Sequence, residues 1–148
     1  MEVSRSLRSW FLVHAVASLV AGAALLAAPD LALHRLGWAS ADPVTARLVG
    51  AALLAFGAAS LSARDATVEV CRAIVRLNTV WSFAAAAALF VGIGAGAPSS
   101  TWAFLSIFIT FSGVWLHHAI RFRQLERAAA LDDAPEPDSA EDDVGPED

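Results

Sequence analysis

The chain has 148 residues, 57% of them hydrophobic, with a mean hydropathy of +0.56 and a net charge of −5. That charge is unevenly spread: residues 1–131 hold all ten arginines against six acids, giving +4, while residues 132–148 hold nine acids and no base, giving −9. A basic apolar body with no basic patch interleaved with stacking aromatics excludes nucleic-acid recognition, and the single Cys71 excludes an internal disulfide and a CxxC redox pair.

Four apolar runs, near 10–28, 44–62, 77–91 and 102–120, each approach the ~20 residues a helix needs to cross a bilayer core of about 30 Å. Backbone in lipid must satisfy its own hydrogen bonds, so these runs predict helices. The expectation is an all-α bundle of four transmembrane helices, spanning about 10–28, 43–63, 72–94 and 100–121, within a domain of residues 1–131. The first run follows Arg5 and Arg8 as a signal peptide would. Its long uncharged core and the following Pro29 favour a retained span.

Pro29 stops the first span, and Asp30 is placed to cap a short interfacial helix over 31–36, closed by Gly37. Asp42-Pro43 reads as an N-cap followed by proline at the first helical position, so the second span starts at Pro43. Asp65 is expected to cap the third, and Ser99 or Ser100 the fourth, which continues to 131. Residues 132–148 combine prolines and acids with almost nothing to bury and read as a disordered acidic tail.

Arginines set the expected orientation. Arg5, Arg8, Arg64, Arg72, Arg76, Arg121, Arg123 and Arg127 fall on one side, Arg35 and Arg47 on the other. This predicts a multi-pass protein of the cell membrane with both termini cytoplasmic. Small residues recur every four positions at Ala51, Ala55 and Ala59, and at Ala84, Ala88, Gly92 and Gly96, a pattern that lets helices approach closely in lipid. In the fourth span, Phe104, Phe108, Phe111, Trp115, His118 and Phe122 form one heptad face of rings. The expected packing sets those rings against the Ala84/Ala88/Gly92 ridge, the alternative being that the same stripe lines a cavity for a flat apolar ligand.

No GxSxG, HExxH, Walker loop or GxGxxG at working spacing is present, so no catalytic residue is assigned. The candidates are polar groups at membrane depth. His14, Arg76, Asn78 and one of His117 and His118 reach one layer near the arginine side, with Ser60 at a similar depth in the second span. Facing inward, they would suit an anionic headgroup, a quinone carbonyl or a proton. Facing outward, Arg76 snorkels to lipid phosphates and the histidines sit at the interface. His14 is expected to point into the bundle, within reach of a polar atom of the third or fourth span. At the other side, Arg47, Asp42 and Trp38 form a second candidate cluster, read first as an interfacial ion pair. No metal site or cofactor is expected, since His14 and His117 have no carboxylate or Cys at their depth.

The stretch HRLGW at 34–38, ARLVGAALLAFGAASLSARD at 46–65 and CRAIVRLN at 71–78 resembles small, mostly uncharacterised prokaryotic four-helix membrane proteins of the DoxX-like kind. The resemblance implies a four-helix bundle. A role beside a terminal oxidase, with which the name-giving members are associated, would be analogy of fold alone. Small multidrug transporters are similar in size and helix number but use a carboxylate in the first helix, and no Asp or Glu lies in any span here. The leading expectation is a non-enzymatic bundle in contact with membrane lipids that binds a partner subunit, a second copy or a lipid- or quinone-like ligand. A small transporter or channel component, and a membrane enzyme using His14, Asn78 and His117 as acid/base groups, are the alternatives.

Overall fold

The computed structural model describes residues 4–38 and 42–132, and every regular element among them is a helix. These are α1 (Arg5–Ala27), α2 (Pro29–Arg35), α3 (Pro43–Ala63), α4 (Val68–Gly94) and α5 (Ser100–Asp132). Each long helix is apolar enough over a sufficient length to cross a membrane. Asp132 is the last helical residue of α5, so the helix runs one residue into the stretch assigned to the acidic tail. The expected disorder of the rest of that tail lies outside the described residues.

Local chemistry sets the helix ends. The Ser4 side chain accepts from Leu7 N at 3.3 Å and opens α1. Ala28 leaves helical geometry at φ −143°, and Pro29, which cannot continue a helix, takes the first position of α2. Asp30 therefore lies in the first turn of α2 and is not its cap. Gly37 closes this stretch at φ +86°, a conformation suited to glycine, and a Cβ there would lie 3.2 Å from Pro98 Cβ. Asp42 caps α3 as expected, accepting from Thr45 N at 2.8 Å and Val44 N at 3.2 Å. The third span departs from expectation. Asp65 sits in the turn after α3, and Thr67 is the N-cap of α4.

The bundle is built from two tight helical hairpins, α1 with α3 and α4 with α5. In the first, the backbones meet: a Cβ on Gly22 would fall 2.7 Å from Gly50 O, and one on Gly50 would fall 2.9 Å from Gly22 O. Side chains join the hairpins. Phe11 lies against Trp115 with centroids 5.4 Å apart, and Phe56 stacks on Trp81 at 4.6 Å. The hydrophobic cluster of Leu7, Phe11, Ala63, Cys71, Val75, Phe111 and Trp115 collects where α1 starts, α3 ends and α4 starts.

The polarity is inverted relative to a water-soluble core. His14, Ser18, Ser60, Asn78, Ser82, Thr101, Ser112 and His118 are buried, while Val13, Val16, Val20, Leu48, Val80, Phe90, Val91 and Ile109 are exposed. Such an apolar exterior around a partly polar interior is costly in water and natural in lipid.

The small-residue ridges do not form the contacts expected of them. Ala84 and Ala88 are exposed, as are Ala51 and Ala55. The buried line of α4 is Cys71, Val75, Asn78 and Ser82, and that of α3 is Ala46, Gly50, Gly57 and Ser60. With 3.6 residues per turn, Ala84 and Ala88 point well away from the face that carries Asn78 and Ser82. Two polar side chains that lipid will not solvate decide which side of α4 turns inward. The ring face of α5 does turn inward: Phe111, Trp115 and His118 are buried, and Phe104, Phe108 and Phe122 are half-buried.

Candidate functional site

Three helices bring one polar side chain each to a common point near the arginine-bearing end. His14 of α1 is 2% exposed, and Ser60 of α3 and Asn78 of α4 are fully buried. Ser60 Oγ lies 2.9 Å from His14 Nδ1 and accepts from Asn78 Nδ2 at 3.1 Å. A serine oxygen accepts twice as well as donating once, so the tautomer of the imidazole sets which of Ser60 and His14 donates. Amide, hydroxyl and imidazole thus form one continuous run across three helices, with the Asn78 amide donating at its α4 end. Among the described residues, Asn78 Oδ1 is left as a buried acceptor without a partner, and Ser82 Oγ, one turn along α4, is also buried and unpartnered.

The fourth side of this centre is aromatic. The His14 ring meets Phe111 edge-on at 5.0 Å and Trp115 at 5.4 Å. Trp115 is fully buried, and its Nε1 has no partner among the described residues. Phe111 has a second role. With Trp10, Ser106, Ile107 and Thr110 it lines an open groove of about 290 Å3 between α1 and α5. The hydroxyls of Ser106 and Thr110 donate to Trp102 O and Ser106 O, each at 2.9 Å, so the groove wall is effectively apolar. Phe111 thus borders both this groove and the His14 centre.

His14 points inward, as expected, but its direct partner is Ser60 of the second span, through which Asn78 joins. Arg76 and His117 are exposed and do not enter the layer. His118 is buried, with its ring 5.3 Å from that of His117. Ser60 was visible as a polar residue at this depth, and its position three residues after Gly57 on the close-packed line of α3 is the signal that marks it as the bridge.

At the other end, the Arg47–Asp42 ion pair is not formed. Arg47 is exposed, and the one salt bridge among the described residues joins Arg72 to Glu126. The Asp42 carboxylate is committed to the start of α3, where the Thr45 hydroxyl and then the amides of Thr45 and Val44 hold its pKa below the ordinary value. Trp38 is half-buried, and its backbone N–H donates to Leu33 O at 3.0 Å.

The arrangement does not suit nucleophilic catalysis. Ser60 has a histidine beside it, but Asn78 bonds the serine, not the far side of the ring, and the hydroxyl is enclosed. Among the described residues no three His, Cys, Asp or Glu side chains gather as metal ligands do. Together, the four apolar helices and the buried polar centre define a membrane-type helical bundle. In comparisons with known proteins, the chain matches no protein family, no curated protein and no solved structure.

Proposed function

We propose that this protein is a non-enzymatic bundle of the cell membrane that takes an apolar, lipid- or quinone-like ligand into the groove between α1 and α5. The observation that carries this reading is the position of Phe111. It is at once a wall of the 290 Å3 groove and a contact of His14. A chain lying in the groove would rest on Trp10, Ile107 and Phe111, and a turn of the Phe111 ring would bring its polar end towards His14 and Asn78 Oδ1. Pockets of this kind are mostly apolar with a few placed polar groups. Eight arginines at one end support an orientation with that end, and both termini, in the cytoplasm. The DoxX-like resemblance agrees with a membrane bundle of this kind and supplies no ligand.

Purification in mild detergent followed by mass spectrometry of bound small molecules tests the reading. One lipid or quinone should be retained above its abundance in the membrane, and Ile107→Trp, which fills the groove from a residue 47% exposed, should release it while the protein stays folded. Retention of bulk lipid alone, or of the same molecule by Ile107→Trp, would overturn it.

A second reading rests on the exposed alanines. Ala51, Ala55, Ala84 and Ala88 leave smooth faces on α3 and α4, which suit close approach of a partner subunit or a second copy of the chain.

A further inference from the structure

The four long helices are unequal. α1 and α3 have 23 and 21 residues, about 35 and 32 Å at 1.5 Å per residue, close to a bilayer core. α5 has 33, about 50 Å. Its start is tied to the far end of the bundle, where the Ser100 hydroxyl donates to Leu36 O. Its excess length therefore emerges beside the start of α4, where Arg72 pairs with Glu126. Around this end stand Arg5, Arg8, Arg64, Arg76, Arg121, Arg123 and Arg127, all exposed, with Arg72 half-buried. The described carboxylates nearby are Asp65, Glu69, Glu126 and Asp132, so the surface carries a net +4. At the opposite end, Arg35 and Arg47 are balanced by Asp30 and Asp42.

We propose that this arginine-rich end is the docking surface for the chain's own segment 133–148, which competes there with the headgroups of anionic phospholipids. Charge complementarity is the first argument. The segment carries eight carboxylates and no lysine or arginine. Reach is the second. The segment begins at the tip of α5, and sixteen residues span up to about 53 Å at ~3.3 Å each. The stretch of α5 from Arg121 to Asp132 is only about 17 Å long. The segment can turn back along that stretch, pass Arg127, Arg123 and Arg121, and reach Arg76 and Arg8.

Tethering is the third argument. A covalently attached anion is present at an effective concentration of order millimolar, so it contends with a lipid surface without strong individual contacts. The segment offers little apolar surface, so the attachment is electrostatic and weakens over a Debye length of about 10 Å at 0.1 M salt. Single exposed ion pairs contribute little, and the association depends on many of them at once.

The test uses the full chain in nanodiscs, with spin labels at Ala73 and Ala140 in a Cys71→Ser background. In phosphatidylcholine at 20 mM salt a short, narrow distance is expected. It should lengthen and broaden in 1 M salt, and also when a third of the lipid is phosphatidylglycerol. A second measurement keeps Cys71: native mass spectrometry from mixed phosphatidylcholine and phosphatidylglycerol, comparing the full chain with a variant whose eight acids in 133–148 are changed to their amides. The amide variant should retain several-fold more phosphatidylglycerol. A distance that ignores salt would overturn the docking. A short distance that persists in phosphatidylglycerol, or equal lipid retention by the two proteins, would overturn the competition.

Discussion

Gly22→Ala is the sharpest probe of the α1–α3 hairpin. The added Cβ would fall 2.7 Å from Gly50 O and 2.9 Å from both Leu54 N and Leu54 Cγ. Two of those atoms belong to backbone, so no side-chain rotation relieves the contact, and a carbon-to-oxygen approach needs roughly another half ångström. The helices must part along their seam, weakening dispersion contacts that are individually about 0.1–0.2 kcal/mol but numerous. Overpacking of this kind typically costs about 1–3 kcal/mol, and the better helix propensity of alanine returns up to about 1 kcal/mol. The expected net loss is about 1–2 kcal/mol, a 5- to 30-fold shift in the folded-to-unfolded ratio. Reversible unfolding in mixed detergent micelles, followed by tryptophan fluorescence, reads this directly. Gly113→Ala is the control, since Gly113 lies within α5 and a Cβ there meets nothing within 4 Å; it should be neutral or slightly stabilising. If Gly22→Ala behaves like Gly113→Ala, the backbones of α1 and α3 do not touch at Gly22 and Gly50.

Ser60→Ala and Asn78→Leu, alone and together, measure the link between the two hairpins. A coupling of about 0.6 to 1.7 kcal/mol is expected, in the range of hydrogen bonds between membrane helices, and a coupling near zero would contradict the Asn78–Ser60 bond. Asp42→Ala should lower the melting temperature at neutral pH. Because the pKa of Asp42 is lower folded than unfolded, its contribution is complete above the unfolded value near pH 4 and is lost as pH falls through the folded one. The wild type should therefore converge on Asp42→Ala in acid, and a constant gap down to pH 2 would rule out the carboxylate as the source.

The features legible in the sequence are those with a directional cause. Pro29, Asp42 and Pro43 mark helix ends because their backbone and capping chemistry is local. The ring face of α5 and the inward turn of His14 and Asn78 follow from a heptad of large groups and from the cost of polar atoms in lipid. The faces of the alanine-rich helices were not legible. In lipid both the packed and the outer surface are apolar, so spacing alone does not separate Ala84 and Ala88 from Ala46 and Gly50. Gly22 and Gly50 meet through a crossing of two helices, which neither stretch encodes by itself. The bridging role of Ser60 has the same origin, since it depends on α3 being rolled about its axis by that glycine contact.

The pairing of neighbours also bears on how the chain is made. α1 meets α3 and α4 meets α5, so the tightest contacts join consecutive membrane-crossing segments. Each hairpin is complete once its own second helix has left the ribosome, and neither waits for a distant strand or helix to close it. The turn at 64–67 is the only covalent join between the halves, and it lies at the end where Cys71 Sγ donates to Ala63 O. Two peptides from a gene divided within that turn should therefore each insert as a hairpin. The contacts of Phe11 with Trp115 and of Ser60 with Asn78 are those on which their pairing would then depend.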